Sequence, residues 1–245
     1  MKKNVGGLIA LLFLMADIYG MTAREIVKKV EDSMRGRSSV GEMEMRVVKK
    51  EWSRTLKMKF WEKGKEKALV VITSPAKERG VATLKIGKNV WNYIPSIERV
   101  IKIPSSMMGA SWMGSHFTND DLVKEYSIVD DYNPELKSQD REFYYLVLYP
   151  KPQAAVVWGR VEIKVSKKTF IPEVSSYFDE KGNRIRRIEY MDVRRVGKRY
   201  FPFHWVLYPE KKPGEKTEII VHKIKFDVSI PDRIFTLKCL KEMKR

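Results

Sequence analysis

The sequence predicts a mainly β protein of the α+β class, built on a single large curved antiparallel sheet that forms a half-barrel. Two observations carry this prediction. After residue 36 the apolar residues change from the spacing of a helix to alternation, and the alternation returns in one segment after another. Turn residues separate these segments at short intervals with no helical pattern between them, which is typical of antiparallel hairpins. About a dozen such strands are too many for a small closed barrel and fit one open curved sheet.

The first twenty residues have the pattern of a secretory signal peptide. Lys2 and Lys3 precede an uncharged, mostly apolar stretch over residues 4–16. This stretch is shorter than the roughly 20 residues that span a bilayer, and Gly20 offers a cleavage site. We therefore expect residues 1–20 to be removed and the mature chain to work outside the cytoplasm. An uncleaved N-terminal anchor is the alternative.

Residues 21–245 are expected to form a single domain, because no linker, repeat or low-complexity segment interrupts them. Cys239 is the one cysteine, which excludes an intramolecular disulfide. The formal net charge is +17, from 48 basic and 31 acidic residues. Such a charge favours anionic partners, among them lipid headgroups. Nucleic acid is not an expected partner, because the chain is exported and its basic residues are spread through the strands.

One amphipathic helix precedes the strands. From Ala23 to Arg35 the apolar residues fall on one side, and Gly36 supplies a stop signal. Thr22 and Glu25 have the spacing of a capping box, in which the two side chains satisfy each other's backbone N–H groups. These residues predict a helix that begins just after Thr22 and ends at Arg35.

The clearest strands alternate apolar with polar side chains. They are predicted over residues 42–48, 54–62, 161–166 and 220–228, each with one dry and one wet face. Residues 143–149, with the sequence FYYLVLY, are apolar on both faces. We expect that strand to be covered on both sides.

Residues 105–124 lack strand alternation and are predicted to be a loop with short helical turns. Apolar side chains stand among its glycines and serines, namely Met107, Met108, Trp112, Met113 and Phe117. Methionine adapts its shape and is frequent where a surface accepts variable apolar partners. We expect this segment to form a short helical lid on the concave face of the sheet, over a cavity that holds an acyl chain. A permanent plug made by the same residues is the alternative.

Four further residues, just before the lid, are candidates for the cavity lining: Trp91, Tyr93, Ile101 and Ile103. An ordinary core position is the alternative for each of them. Burial of an acyl chain contributes about 0.8 kcal/mol per CH₂ group. A carrier of this kind therefore needs no covalent chemistry, no cofactor and no metal.

The same part of the chain resembles the outer-membrane lipoprotein-sorting protein family, exported carriers with the LolA-like fold. The residues that carry the resemblance are Pro75, Arg79-Gly80, Leu84, Trp91-Asn92-Tyr93-Ile94-Pro95, Arg99, Trp112-Met113-Gly114-Ser115, Phe117-Thr118 and Asp120-Asp121-Leu122. The C-terminal half is similar in style only. His116 stands where relatives usually have an aspartate, so a role for an acid there is not implied.

The resemblance implies a half-barrel of antiparallel strands with helices over its concave face. It further implies that the hollow between them takes lipid or the acyl chains of lipoproteins. The expected place of work is then the periplasm, and the expected partners are a membrane transporter or an anionic membrane surface.

A hydrolase is one rival function. Ser115, His116 and either Asp120 or Asp121 lie close together in the sequence. A catalytic serine, however, needs a tight turn beside an oxyanion hole, and no G-x-S-x-G motif is present. No catalytic residue is predicted. His204 and His222 lack the close-spaced partners of a metal site.

A binding module for an anionic cell-surface glycan is the other rival. Its basic residues are Arg184, Arg186, Arg187, Arg194, Arg195, Lys198 and Arg199. The solvated outer face of two strands explains the same residues. Docking on anionic lipid headgroups is a third interpretation of this set.

Overall fold

The computed structural model describes residues 20–124, 128–154 and 156–242. Within these ranges thirteen strands form one antiparallel sheet that does not close into a barrel. The predicted mainly β fold, with its single large sheet and N-terminal helix, is confirmed. The signal peptide predicted for residues 1–20 lies outside the described residues, apart from Gly20.

The strands have the following bounds: β1 Ser38–Val48, β2 Ser53–Lys63, β3 Lys67–Ser74, β4 Ala82–Ile86, β5 Asn89–Ile94, β6 Arg99–Lys102, β7 Tyr132–Gln139, β8 Phe143–Pro150, β9 Arg160–Ser166, β10 Pro172–Phe178, β11 Arg184–Val196, β12 Arg199–Pro209 and β13 Lys216–Phe226. The α-helices are α1 Ala23–Arg35, α2 Asn119–Lys124, α3 Ile128–Asp131 and α4 Leu237–Glu242. Short 3-10 turns occur at Ala76–Glu78, Pro95–Ile97, Ser105–Met107, Trp112–Gly114 and Asp232–Ile234. Among the described residues, none of the helices is long and apolar enough to cross a membrane.

The order of the strands explains why a chain segment crosses the sheet. From edge to edge the order is β6-β5-β4-β3-β2-β1-β13-β12-β11-β10-β9-β8-β7. Strands that follow each other in the chain pair with each other, except for β6 and β7, and β1 additionally pairs with β13. The edge strands β6 and β7 are therefore consecutive in the chain but lie at opposite edges. The connection between them, which carries α2 and α3, has to pass from one edge to the other.

Helix α1 begins and ends where the sequence predicts. The Thr22 hydroxyl accepts a hydrogen bond from the Glu25 N–H at 3.2 Å, and the Glu25 carboxylate accepts one from the Thr22 N–H at 2.8 Å. Gly36 ends the helix with a φ of 69°, a conformation that favours glycine. The buried face of the helix, with Ile26 and Val30, packs on β8 and β9.

The side chains of strand β3 belong to two apolar clusters that lie on opposite faces of the sheet. Val70 and Ile72 belong to a cluster with β1, β2, β12 and β13. Leu69 belongs to another, which is covered by the C-terminal segment through Ile230 and Phe235. Successive side chains of a strand point to opposite faces, so we call the first the inner face and the second the outer face. The inner face is also the one on which α1 and the connection between β6 and β7 lie.

Strand β8 corrects one prediction. Leu146 and Leu148 are buried on the inner face beneath α1. Tyr149 is exposed on the outer face, and the Lys164 ammonium lies 3.9 Å from the centroid of the Phe143 ring. The expectation that this strand is covered on both sides holds only in part: Val147 on the outer face is 9% exposed, whereas Tyr149 on the same face is 42% exposed.

Candidate ligand-binding hollow

An apolar hollow of about 90 Å³ lies on the inner face, and we call it the main hollow. Strand residues form its floor: Met43, Phe60, Val70, Phe201, Trp205, Ile219, Val221 and Ile224. Met34 of α1 and four residues of the connection, Trp112, Phe117, Asp121 and Leu122, complete its walls, and Glu62 of β2 also lines it. A single water needs about 10–15 Å³ by the same measure, so the hollow has room for several water-sized groups.

The floor owes its shape to a glycine in β1. A Cβ atom on Gly41 would lie 2.5 Å from the ring of Phe60 and 2.4 Å from the carbonyl oxygen of Lys223. Because neither position leaves room for a methyl group, only glycine lets the Phe60 ring lie against the β1 backbone. This close approach places an aromatic ring in the floor of the main hollow.

Residues 105–124, which we call the lid segment, are tied to the sheet by hydrogen bonds. The indole N–H of Trp112 donates to the Thr83 hydroxyl at 3.1 Å, between the lid segment and β4. The guanidinium of Arg54 in β2 donates to the carbonyl oxygen of Met113. These bonds hold the lid segment over the floor at defined points, in addition to its apolar contacts.

His116 ties the lid segment to the start of β13. Its backbone N–H donates to the Thr217 hydroxyl at 3.0 Å. Its ring Nε2 lies 2.9 Å from the Glu215 carboxylate and 2.7 Å from the Lys49 ammonium. Burial lowers the pKa of the His116 imidazole below its usual value; the hydrogen bond to Glu215 opposes this shift, and the charge of Lys49 adds to it.

Ser115, His116 and Asp121, three side chains of the rival hydrolase, hydrogen-bond to other groups. The Ser115 hydroxyl accepts a hydrogen bond from the backbone N–H of Phe117 at 3.1 Å, and the His116 ring bonds as described above. Asp121 is paired with Arg186. Each of these three side chains therefore fixes the lid segment in place. In the described part of the chain, no three His, Cys, Asp or Glu side chains are grouped to hold a metal ion.

A buried ion pair lies where the main hollow meets a second hollow of about 50 Å³. Arg186 of β11 is 5% exposed, and its two terminal nitrogens donate to the Asp121 carboxylate at 2.7 and 2.6 Å. The guanidinium carbon lies 4.6 Å from the ring centroid of Trp158 and 4.4 Å from that of Tyr177. Asp121 and Phe117 line both hollows, so the Arg186–Asp121 ion pair and the Phe117 ring form part of the partition between the two hollows.

Asp121 also fixes the start of helix α2. Its carboxylate accepts a hydrogen bond from the Thr118 N–H at 2.7 Å, and its own N–H donates to the Thr118 hydroxyl at 3.2 Å. Burial raises the pKa of the Asp121 carboxyl, but the charge and hydrogen bonds of Arg186, together with Thr118, outweigh burial and hold that pKa below its usual value. Asp121 therefore faces Arg186 as a carboxylate.

Of the residues predicted in the lid segment, the two aromatic ones line the main hollow. Trp112 is 4% exposed and Phe117 is 8% exposed. Met113 is partly buried against the same cluster. Met107 is 50% exposed and Met108 is partly buried, and neither lines the two hollows.

The four predicted residues that precede the lid segment do not join this site. Trp91 and Tyr93 lie in the outer-face cluster, because alternation in β5 turns Asn92, between them, toward the inner face, where it accepts a hydrogen bond from Thr83. Ile101 and Ile103 are exposed and partly exposed, respectively, and line neither hollow. The predicted lining is thus divided between the two faces of the sheet.

The basic set proposed for glycan binding does not form one free patch. Arg186 is buried on the inner face, so its place in that exposed set is wrong. Four other members are paired with acids: Arg184 with Glu210, Arg187 with Glu189, Arg194 with Asp192 and Arg199 with Asp227. The sequence does contain one indication of this burial: Arg186 is two residues from Ile188 in the same strand, so the two side chains point to the same, dry face of the sheet.

An open antiparallel sheet, an N-terminal helix and a lid segment over an apolar hollow define the LolA-like fold, as the resemblance implies. The chain belongs to the family whose model, described as "Uncharacterized protein", matches residues 64–242.

Three solved structures illustrate the similarity in fold. A DUF1329 family protein from Desulfovibrio piger has a TM-score of 0.82 at 21% identity, over 89% of this chain and 97% of that one. A putative outer membrane lipoprotein-sorting protein domain from Vibrio parahaemolyticus has a TM-score of 0.78 at 20% identity, over 89% and 98%. A LolA superfamily protein from Nitrosomonas europaea has a TM-score of 0.75 at 23% identity, over 90% and 100%. No curated protein sequence matches the chain.

Proposed function

We propose that the protein is an exported, periplasmic carrier that binds lipid or the acyl chains of lipoproteins in the main hollow and moves them between membranes. The observation that carries this proposal is the apolar hollow on the inner face, which is closed by aromatic side chains of the lid segment. The lid segment is attached to the sheet by its own hydrogen bonds. A membrane transporter or an anionic membrane surface is the proposed donor or acceptor, which suits a chain of formal net charge +17.

The size of the main hollow bears on how a ligand enters. Its volume of about 90 Å³ holds only part of a long acyl chain. Loading therefore requires that the lid segment moves away from the floor. Moving the lid segment breaks a few of its hydrogen bonds and apolar contacts with the sheet, which costs free energy. Each buried methylene of the ligand contributes about 0.8 kcal/mol, so burial of a long acyl chain offsets this cost.

Quenching by brominated fatty acids tests the proposal at the site itself, because bromine quenches an indole only at near contact. Trp112 and Trp205 line the main hollow, whereas Trp52 is exposed and does not. We expect a fatty acid brominated at mid-chain to quench wild-type fluorescence with saturation. Part of the quenching should be lost in Trp112→Phe, and none of it in the control Trp52→Phe.

Two results would overturn the proposal. Quenching that does not saturate would show that the acyl chain has no site. Quenching that is lost in Trp52→Phe but kept in Trp112→Phe would place the chain outside the main hollow.

A further inference from the structure

We propose that Arg186 binds the anionic headgroup of the carried lipid, and that Asp121 occupies this place while the lid segment is closed. The inference rests on the proposed function and adds the class of ligand. The ligand is an amphiphile with an acyl chain and a carboxylate or phosphate group at the polar end. The acyl chain lies in the main hollow and the anion lies on Arg186, at the junction of the two hollows.

The first observation is a buried arginine that still has a donor to offer. Arg186 is 5% exposed, and its Nε–H has no hydrogen-bond partner among the described residues. Removing a guanidinium from water is costly unless it is paired and hydrogen-bonded. Two of its three nitrogens are satisfied by Asp121, so the third is an unused donor in the lining of the second hollow.

The second observation is which elements carry the charges. Arg186 and Tyr177 belong to strands β11 and β10, and Trp158 lies just before β9. Both acids that line the second hollow, Asp120 and Asp121, belong to helix α2 of the lid segment. Displacement of the lid segment therefore withdraws the negative charges together and leaves the positive charge on the sheet.

The consequence is an exchange of one anion for another. With the lid segment displaced, Arg186 stands unpaired between two aromatic rings, 4.4 and 4.6 Å away, in a largely apolar hollow. A bound carboxylate or phosphate restores the pairing that Asp121 supplied. The planar guanidinium suits both anions, because its N–H groups form paired hydrogen bonds with their oxygens. Return of Asp121 would in turn compete with the headgroup and assist its release.

The comparison of a charged with a neutral amphiphile tests the inference. Dodecanoate, dodecyl phosphate and dodecanol share one chain length, and their dissociation constants are measured by displacement of a fluorescent acyl probe from the full mature chain. We expect both anions to bind the wild type roughly tenfold more tightly than dodecanol, because a charge-assisted hydrogen-bonded pair forms. Arg186→Gln should reduce this ratio, measured within the variant, to about one.

Asp121→Asn supplies the opposite change. Asparagine keeps an oxygen for the Thr118 cap but removes the competing charge. The affinity for dodecanoate should therefore rise above that of the wild type, and it should rise by more than the affinity for dodecanol, so that the ratio between the two increases. The double variant Asp121→Asn, Arg186→Gln removes both charges, which avoids a buried unpaired ion and provides a folded control without charge preference.

The outcomes separate the two proposals. If dodecanol and the anions bind the wild type equally, or if the ratio survives in both Arg186→Gln and the double variant, the headgroup site is refuted and the carrier function stands. If none of the three binds the wild type, both proposals are overturned. A preference for only one of the two anions identifies which headgroup the site accepts and supports the inference.

Discussion

Replacing Phe117 by alanine is expected to destabilise the protein less than the same replacement of Phe235. Both rings are buried, at 8% and 3% exposure, and both belong to apolar clusters. They differ in their surroundings, because Phe117 borders two hollows, whereas Phe235 belongs to the C-terminal segment and packs against the outer face of the sheet. The pair therefore compares a ring at a site with a ring in a core.

The magnitude follows from the contacts that each ring makes. A well-packed Phe→Ala change costs about 3–5 kcal/mol, from lost transfer free energy and a new cavity. We expect this cost at Phe235. The Phe117 ring already faces empty space on two sides and loses fewer packing contacts, so mainly the transfer contribution of about 1.5–3 kcal/mol remains.

Urea unfolding of the mature protein without ligand measures both free energies of unfolding. The same variants are titrated with fatty acids of increasing length. Phe117→Ala joins the two hollows and should shift the preferred chain to a longer one, whereas Phe235→Ala should leave the preference unchanged. An equal or larger loss of stability in Phe117→Ala, with no change in length preference, would show that Phe117 is part of a permanent plug.

Three further predictions concern the floor, the lid and the N-terminus. Gly41→Ala should lower the free energy of unfolding by about 1–3 kcal/mol or more, because the added Cβ clashes with Phe60 and Lys223. The control is Gly109→Ala, where an added Cβ meets no atom within 4 Å, and it should change that free energy by no more than about 0.5 kcal/mol in the same urea assay. Because burial lowers the pKa of His116 in the folded protein, the unfolded chain binds more protons than the folded one as pH falls below about 6.5, and the free energy of unfolding should decrease toward acid pH. His116→Gln should make this decrease shallower. The same dependence of stability on pH in the variant and the wild type would contradict a buried His116 with a lowered pKa. Exported protein should begin at Met21 with the Thr22 cap intact, and N-terminal sequencing that finds Met1 would contradict cleavage.

Local patterns were sufficient to predict the elements of this fold. Thr22, Glu25 and Gly36 determine the ends of α1 through contacts within a few residues of the chain. The alternation in β2 likewise distinguishes Leu56 and Met58, which are buried, from Lys57, which lies between them and is exposed. Such signals depend on geometry that is the same wherever the element lies, so they can be detected before the fold is known.

The contents of the site depend on contacts between distant parts of the chain. The sequence predicts that the lid segment is a loop with helical turns, and its apolar composition points equally to three methionines and to Trp112 and Phe117. Composition does not show which side chain turns inward, and Met107 is in fact half exposed while Trp112 is bonded to Thr83. Partners such as Thr83 and Thr217 lie on strands far from the lid segment in the sequence.

Arg186 shows how a charged residue can mislead composition-based reasoning. It stands among six other basic residues in β11, the following turn and the start of β12, a set that on composition alone predicts one exposed patch. The alternation that it shares with Ile188 indicates the dry face of the sheet. A buried arginine is expected, however, only where an acidic side chain faces it. That acid, Asp121, lies 65 positions earlier in the chain, so the sequence offers no local indication of the pair.

Analysis of the lipid content of the protein tests the central claim most directly. The mature protein is purified from the export compartment without detergent, and its organic extract is analysed by mass spectrometry beside that of Ile224→Trp, which fills the partly buried edge of the main hollow. We expect the wild type to carry an acyl lipid with an anionic headgroup and the filled variant, equally folded, to carry much less. Wild-type protein with no lipid above background, or a folded filled variant with the same lipid content, would contradict the carrier function.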